Sequence, residues 1–117
     1  MILFLSLFIG NQLLNTGVKP IILKDEVFKA NYFKNEGTEN ATTIVLIGGG
    51  QWGDYWAQEF ANKEMVGLSL PYIGKEGLPR LPEDIDLEYF ENAIRWLGRQ
   101  KEVDSNKIIV MGASRNA

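Results

Sequence analysis

The stretch Ile44-Val45-Leu46-Ile47 runs straight into Gly48-Gly49-Gly50, and this junction limits the possible folds more than any other part of the chain. Four large apolar residues in a row, three of them β-branched, suit a strand buried on both faces, as in a parallel sheet. The glycines that follow permit an abrupt reversal at positive φ, which any Cβ would resist. A helix is expected next: Asp54 suits its N-cap, and Trp56, Ala57, Phe60 and Ala61 share one stripe.

The alternation then repeats. Val66 to Leu70 reads as a strand running into Pro71, and Tyr72 to Asp84, with Gly74, Gly77, Pro79 and Pro82, excludes a continuous helix. Asp86 fits the N-cap of a second helix. Glu88 lies in its first turn, Ile85 and Phe90 stand at the positions of a hydrophobic staple, and Phe90, Ala93, Ile94 and Leu97 form its apolar face. Lys107 to Met111 is a last strand, followed by Gly112-Ala113-Ser114-Arg115-Asn116-Ala117. Upstream, Ile21 to Leu23 and Val27 to Phe33 read as two outer strands. The polar stretch Asn35 to Thr43 reads as a loop whose Asn40-Ala41-Thr42 is formally a glycosylation triplet, meaningful only in a eukaryotic secretory pathway. The expectation is an α/β fold, a mostly parallel sheet with flanking helices.

At 117 residues the chain has room for one domain at most. Its 12 basic against 15 acidic residues leave a net charge of -3 and no basic stripe, which argues against nucleic acid as a partner. Cysteine is absent, removing disulfides and thiolate chemistry and leaving the redox compartment open. Histidine is absent as well, so the chain holds no complete Ser-His-Asp triad and no imidazole metal ligand; no metal and no cofactor are expected. Met1 to Gly10 is almost wholly apolar, yet roughly half the ~20 residues a membrane-crossing helix needs. Residues 1–18 read as a signal-like leader or as an N-terminal packing segment. With Lys19 as the first basic residue and no A-x-A cleavage site, cytoplasmic and exported locations both stay open.

Two glycine-rich turns carry the chemistry. Gly48, Gly50 and Gly53 satisfy G-x-G-x-x-G between a strand and a helix, the dinucleotide fingerprint. That reading also needs an acidic residue near the end of the next strand, where Ser69-Leu70-Pro71 stands instead. The competing reading makes the turn a donor of backbone N–H groups to an oxyanion, and it calls for a nearby nucleophile. Gly112-Ala113-Ser114 supplies one in the form of a serine at a sharp strand-to-helix turn, although Asn116 replaces the last glycine of G-x-S-x-G. A plain helix N-cap remains the other reading of Ser114. Trp52, Tyr55 and Trp56 either line an acyl or aromatic pocket or simply pack. Glu83, Asp84, Asp86 and Glu88 form an acidic group that a solvated helix start explains without a cation.

The segment from Leu68 onward resembles the C-terminal hydrolase domain of the acyl-CoA thioester hydrolase and bile acid-CoA:amino acid N-acyltransferase family. The matching blocks are Tyr72-Ile73-Gly74 with Gly77-Leu78-Pro79; Leu87-Glu88-Tyr89-Phe90-Glu91 with Ala93, Ile94, Trp96 and Leu97; Val103-Asp104; and Gly112-Ala113-Ser114-Arg115. Including the glycine turn and the helix through Phe60, the resemblance covers roughly Ile44 to the end.

The resemblance implies that residues 19–117 are the N-terminal half of an α/β-hydrolase domain, truncated after the nucleophile elbow. It gives Ser114 the place of the nucleophile, serine favouring hydrolysis where cysteine serves transfer. The oxyanion would be held by the N–H of Arg115 with one from Gly49, Gly50 or Gln51. Arg115 could instead contact an anionic substrate group or form a structural ion pair. Trp52 and Tyr72 are candidate substrate-binding side chains. The implied partner is a small acyl thioester or ester, a coenzyme A ester among them, in fatty acid metabolism. Because the family's acid and histidine follow the serine, the 117 residues alone are expected to be inactive. The alternatives are a non-catalytic remnant or binding module and, less favoured, a nucleotide-binding module on Gly48, Gly50 and Gly53.

Overall fold

A computed structural model describes residues 18–24, 26–72, 78 and 85–112. The strands are β1 (Ile21–Leu23), β2 (Ala30–Phe33), β3 (Ala41–Ile47), β4 (Val66–Leu70) and β5 (Val103–Gly112); the helices are α1 (Gly50–Ala61) and α2 (Leu87–Gly98). They form a small α/β unit with one five-stranded sheet in the order β1-β2-β4-β3-β5. β3 pairs in parallel with both β4 and β5, whereas β1 with β2 and β2 with β4 are antiparallel. The sheet is therefore mixed rather than mostly parallel. The short link between β1 and β2 has no room for the crossover a parallel pair requires.

All five residues of β4 are buried. It lies between β2 and β3 and is covered on both faces, and its bounds match expectation. Val66, Leu68 and Leu70 join the cluster beneath α2, with Phe28, Tyr32, Tyr89, Ala93 and Leu97. On the other face a Cβ added at Gly67 would collide with the backbone of Ala57 in α1, and one at Gly53 would stand 2.5 Å from Ser69 Oγ. Helix α1 thus settles onto β4 through small residues, closely enough that two of them must lack a side chain.

Several expected boundaries move. Helix α1 starts at Gly50, with Gly49 as N-cap, so Asp54 lies inside the helix and accepts a hydrogen bond from Asn31 Nδ2 at 3.1 Å. Gly48, Gly49 and Gly50 all have positive φ and complete the turn without a side-chain cap. Trp56 is outside the buried stripe, which consists of Gly53, Ala57 and Ala61. Asp86 is the N-cap of α2, though its side chain makes no capping bond, and the buried face is Tyr89, Ala93 and Leu97, leaving Ile94 exposed. Val27 and Phe28 precede β2 in a bend, and β3 extends back to Ala41, shortening the expected loop.

β5 is twice as long as expected because pairing with β3 begins at Val103↔Ala41 and resumes at Ile108↔Thr43. The intervening residues bulge, and Asp104 closes the bulge by accepting the Asn106 N–H at 2.9 Å. Ile109, Val110 and Met111 are exposed on this edge strand. No helix among the described residues is long and apolar enough to cross a membrane.

At the opposite end of the sheet from the glycine turn, Tyr32 donates its hydroxyl hydrogen to the buried Glu102, whose carboxylate also stands 3.7 Å from Lys34 Nζ. Burial, reinforced by the hydrogen bond to Glu102 and the negative charge it carries, pushes the Tyr32 hydroxyl well above the ordinary tyrosine range. Because Tyr32 keeps its proton to higher pH when folded, its stabilising contribution is complete below about pH 10 and is lost as pH rises beyond that value. Tyr32→Phe is expected to flatten the alkaline fall in stability, at a cost near neutrality of about 1–3 kcal/mol for the donor Glu102 loses. Urea unfolding between pH 8 and 11 checks this; an alkaline fall of unchanged steepness would contradict it.

Candidate active site

Strands β4, β3 and β5 end in step, since Ile47 pairs with both Leu70 and Gly112. The glycine turn leaves β3 at this common edge, and Gly48 N–H donates back to Leu70 O at 3.0 Å. Gly49 is buried against Pro71, where a Cβ would meet the Pro71 nitrogen at 2.8 Å, whereas one on Gly50 would meet nothing within 4 Å. Gly49 therefore fixes the turn and Gly50 opens it. The first-turn amides of α1, those of Gly50, Gln51 and Trp52, have no acceptor in their own helix and no side-chain cap, and the first turn carries no acidic residue. Gly50 and Gln51 are exposed, so this end of α1 presents N–H groups to solvent rather than to the core.

The glycine turn is held from behind. Tyr89 of α2 donates its hydroxyl hydrogen to Pro71 O and lies 3.3 Å from Lys29 O, and burial raises its pKa. Pro71 is thus pinned between Tyr89 on one side and Gly49 on the other. No role at the site is read from the sequence for Pro71 or Tyr89, because a hydroxyl that supports a loop across 18 residues leaves no local signal. Both Gly49 and Gly50 adopt positive φ. Gly50→Ala is expected to cost about 1–2 kcal/mol for the backbone alone, and Gly49→Ala more, because the new methyl also meets Pro71. Chemical denaturation of the two variants distinguishes them; equal losses would remove Pro71 from the account.

Trp52 is half-buried, its ring about 3.8 Å from where a Gly48 Cβ would stand, and it packs against the cluster of Phe33, Ile44, Leu46, Ala57 and Ala61. Tyr72 is half-buried against Phe90, with ring centres 5.7 Å apart. Both side chains pack against the core clusters. Tyr55 and Trp56 stack edge to face on the exposed side of α1. Ser114 and Arg115 lie outside the described residues, as do the leader to residue 17, Asp25, residues 73–77 and 79–84, with Glu83 and Asp84 of the acidic group. The described backbone stops at Gly112, two positions before Ser114.

The family model described as BAAT / Acyl-CoA thioester hydrolase C terminal matches residues 85–117, spanning α2, β5 and the residues after it. The chain is related to that family. It is 29% identical over 103 residues to acyl-coenzyme A thioesterase 5 of Mus musculus, covering 86% of this chain and 24% of that protein. It is 33% identical over 89 residues to the bile acid-CoA:amino acid N-acyltransferase of Homo sapiens, covering 74% and 21%. Against mitochondrial acyl-coenzyme A thioesterase 2 of Rattus norvegicus it is 31% identical over 101 residues, covering 85% and 22%. The chain spans between a fifth and a quarter of the length of these relatives. The BAAT and acyl-CoA thioester hydrolase match includes Tyr89, the residue that holds the glycine turn from behind.

Proposed function

We propose that the chain is the N-terminal half of an α/β-hydrolase domain of the acyl-CoA thioesterase type, with Ser114 as its nucleophile. The Ile47↔Gly112 pairing carries this reading, since it brings the glycine turn and the residue two before Ser114 to one sheet edge. In the proposed reaction Ser114 Oγ adds to the carbonyl carbon of a thioester while its proton passes to a base. The tetrahedral oxyanion takes hydrogen bonds from the N–H of Arg115 and one N–H of Gly49, Gly50 or Gln51. Collapse breaks the C–S bond, and the sulfur leaves with the proton as a thiol. Water then adds to the acyl-serine, releasing a carboxylic acid and restoring the hydroxyl.

The family pattern assigns the base to a histidine, and none of these 117 residues is one. Without it the serine stays protonated at neutral pH, so the 117 residues by themselves are proposed to be inactive. The substrate is proposed to be a small acyl thioester, as the names of the thioesterase relatives suggest. The test is fluorophosphonate labelling of the protein in its longest in-frame form, with peptide mapping. An adduct on Ser114 that disappears in Ser114→Ala is expected; labelling that survives the substitution would overturn the assignment.

The dinucleotide reading is disfavoured. Gly53 does serve helix–strand packing, as the third glycine of that fingerprint would. Yet β4 ends in Ser69-Leu70-Pro71, and Ser69 is 1% exposed and turned toward α1, so the end of this strand carries no acidic residue of the kind that fingerprint needs.

A further inference from the structure

A second concave site lies at the other end of the sheet. Glu102 precedes Val103, which pairs with Ala41 at the start of β3, whereas the glycine turn follows Ile47 at its end. The two edges are about 20 Å apart at about 3.3 Å per residue. Here a groove of about 520 Å³ opens between the start of the sheet and the C-terminal end of α2, a volume within the usual range for small-molecule sites.

Its walls and rim differ in chemistry. Ile21 and Leu23 form one apolar side, and Trp96 the other, its ring meeting Tyr32 edge to face with centres 5.0 Å apart. At the floor the Glu102 carboxylate is occupied by the Tyr32 hydroxyl and by Lys34, so its charge is already answered inside the protein. Arg99 and Lys101 remain at the rim. Both are exposed, and the ion pairs among the described residues are Lys34–Glu102 and Lys107–Asp104, so neither rim cation has an acidic partner among the described residues. The end of α2 adds no positive charge of its own; its last carbonyls are negative, and Trp96 O is taken by Gln100 Nε2 at 2.9 Å.

From this arrangement we infer that the groove binds an amphiphilic organic anion, with its apolar body against Trp96, Ile21 and Leu23 and its carboxylate between Arg99 and Lys101. The apolar walls supply affinity in proportion to the area they cover. The two rim cations decide the sign of the head group, because an ammonium would face their positive charge at short range. The site is independent of the proposed hydrolase chemistry, sharing no residue with it.

The test is titration of the ¹⁵N-labelled chain with decanoate, below its micellar concentration, following the three indole N–H signals and assigning Trp96 by its loss in Trp96→Phe. Decanoate is expected to shift the Trp96 signal in a saturable way, with decanol and decyltrimethylammonium at least tenfold weaker. The double variant Arg99→Ala, Lys101→Ala should weaken decanoate by about tenfold or more while leaving decanol unchanged; both side chains are exposed, so the fold is kept. Equal affinity for the three head groups, no loss in the double variant, or a response centred on Trp52 and Trp56 would each overturn the inference.

Discussion

Ser114→Ala is expected to lower kcat for acyl thioester hydrolysis by about 10⁶-fold in a form of the protein that also carries the acid and histidine of the family pattern. That is the scale at which a covalent route loses its attacking atom while the oxyanion donors and binding contacts persist. The residual rate should stay above that of the uncatalysed reaction by about 10³-fold, since those donors are backbone amides that the substitution leaves alone. Thiol release from a short acyl thioester, followed at saturating substrate, measures both numbers. A variant within tenfold of the parent would remove Ser114 from the chemistry. A variant no faster than water would instead remove the glycine turn.

The second large effect is structural. Gly67→Val is expected to destabilise the chain by about 3 kcal/mol, at the upper end of what forced overpacking costs. The new side chain would have to displace the backbone of Ala57 rather than a movable side chain. Because β4 is buried along its whole length and neighbours β2, β3, α1 and α2, the sheet cannot bow to make room. Gly98→Ala serves as the control. Its Cβ would meet only Ser105 Cβ, at an ordinary 3.8 Å, and at the end of α2 it should change stability by no more than about 1 kcal/mol. Urea midpoints decide the matter: similar midpoints for Gly67→Val and the parent would mean that α1 does not lie as close to β4 as described.

What could be read from the residues, and what could not, follows from where the physical information lies. β4 was legible because Val66, Leu68 and Leu70 alternate with the small Gly67 and Ser69, an apolar face beneath α2 and a small-residue face beneath α1. β5 was half legible: the part in register with Thr43 to Ile47 shows as the apolar run Ile108 to Met111, but most of the residues before it are polar and pair, where they pair, through their backbones. The start of α1 was misplaced because capping rules look for an acceptor side chain, and here three positive-φ glycines make the turn unaided. The apolar face of α2 was read correctly at Ala93 and Leu97, with Phe90 packed against the core, but it included the exposed Ile94 and omitted Tyr89. Tyr89 carries a polar atom, and only the carbonyl of Pro71 across the fold explains why it is buried. In the candidate site, the glycine turn and its strand were visible in the sequence, whereas the support behind it is tertiary and has no local pattern.

The bulge between Asp104 and Asn106 has a consequence for how this sheet edge tolerates change. It takes up surplus chain before the register that matters begins, much as a coil of slack rope leaves the taut end undisturbed. Lengthening or shortening the chain by a residue there should leave Gly112 level with Ile47. The same edit between Ile108 and Met111 would rotate every later side chain by half a turn and aim whatever follows Gly112 at the wrong side of the sheet.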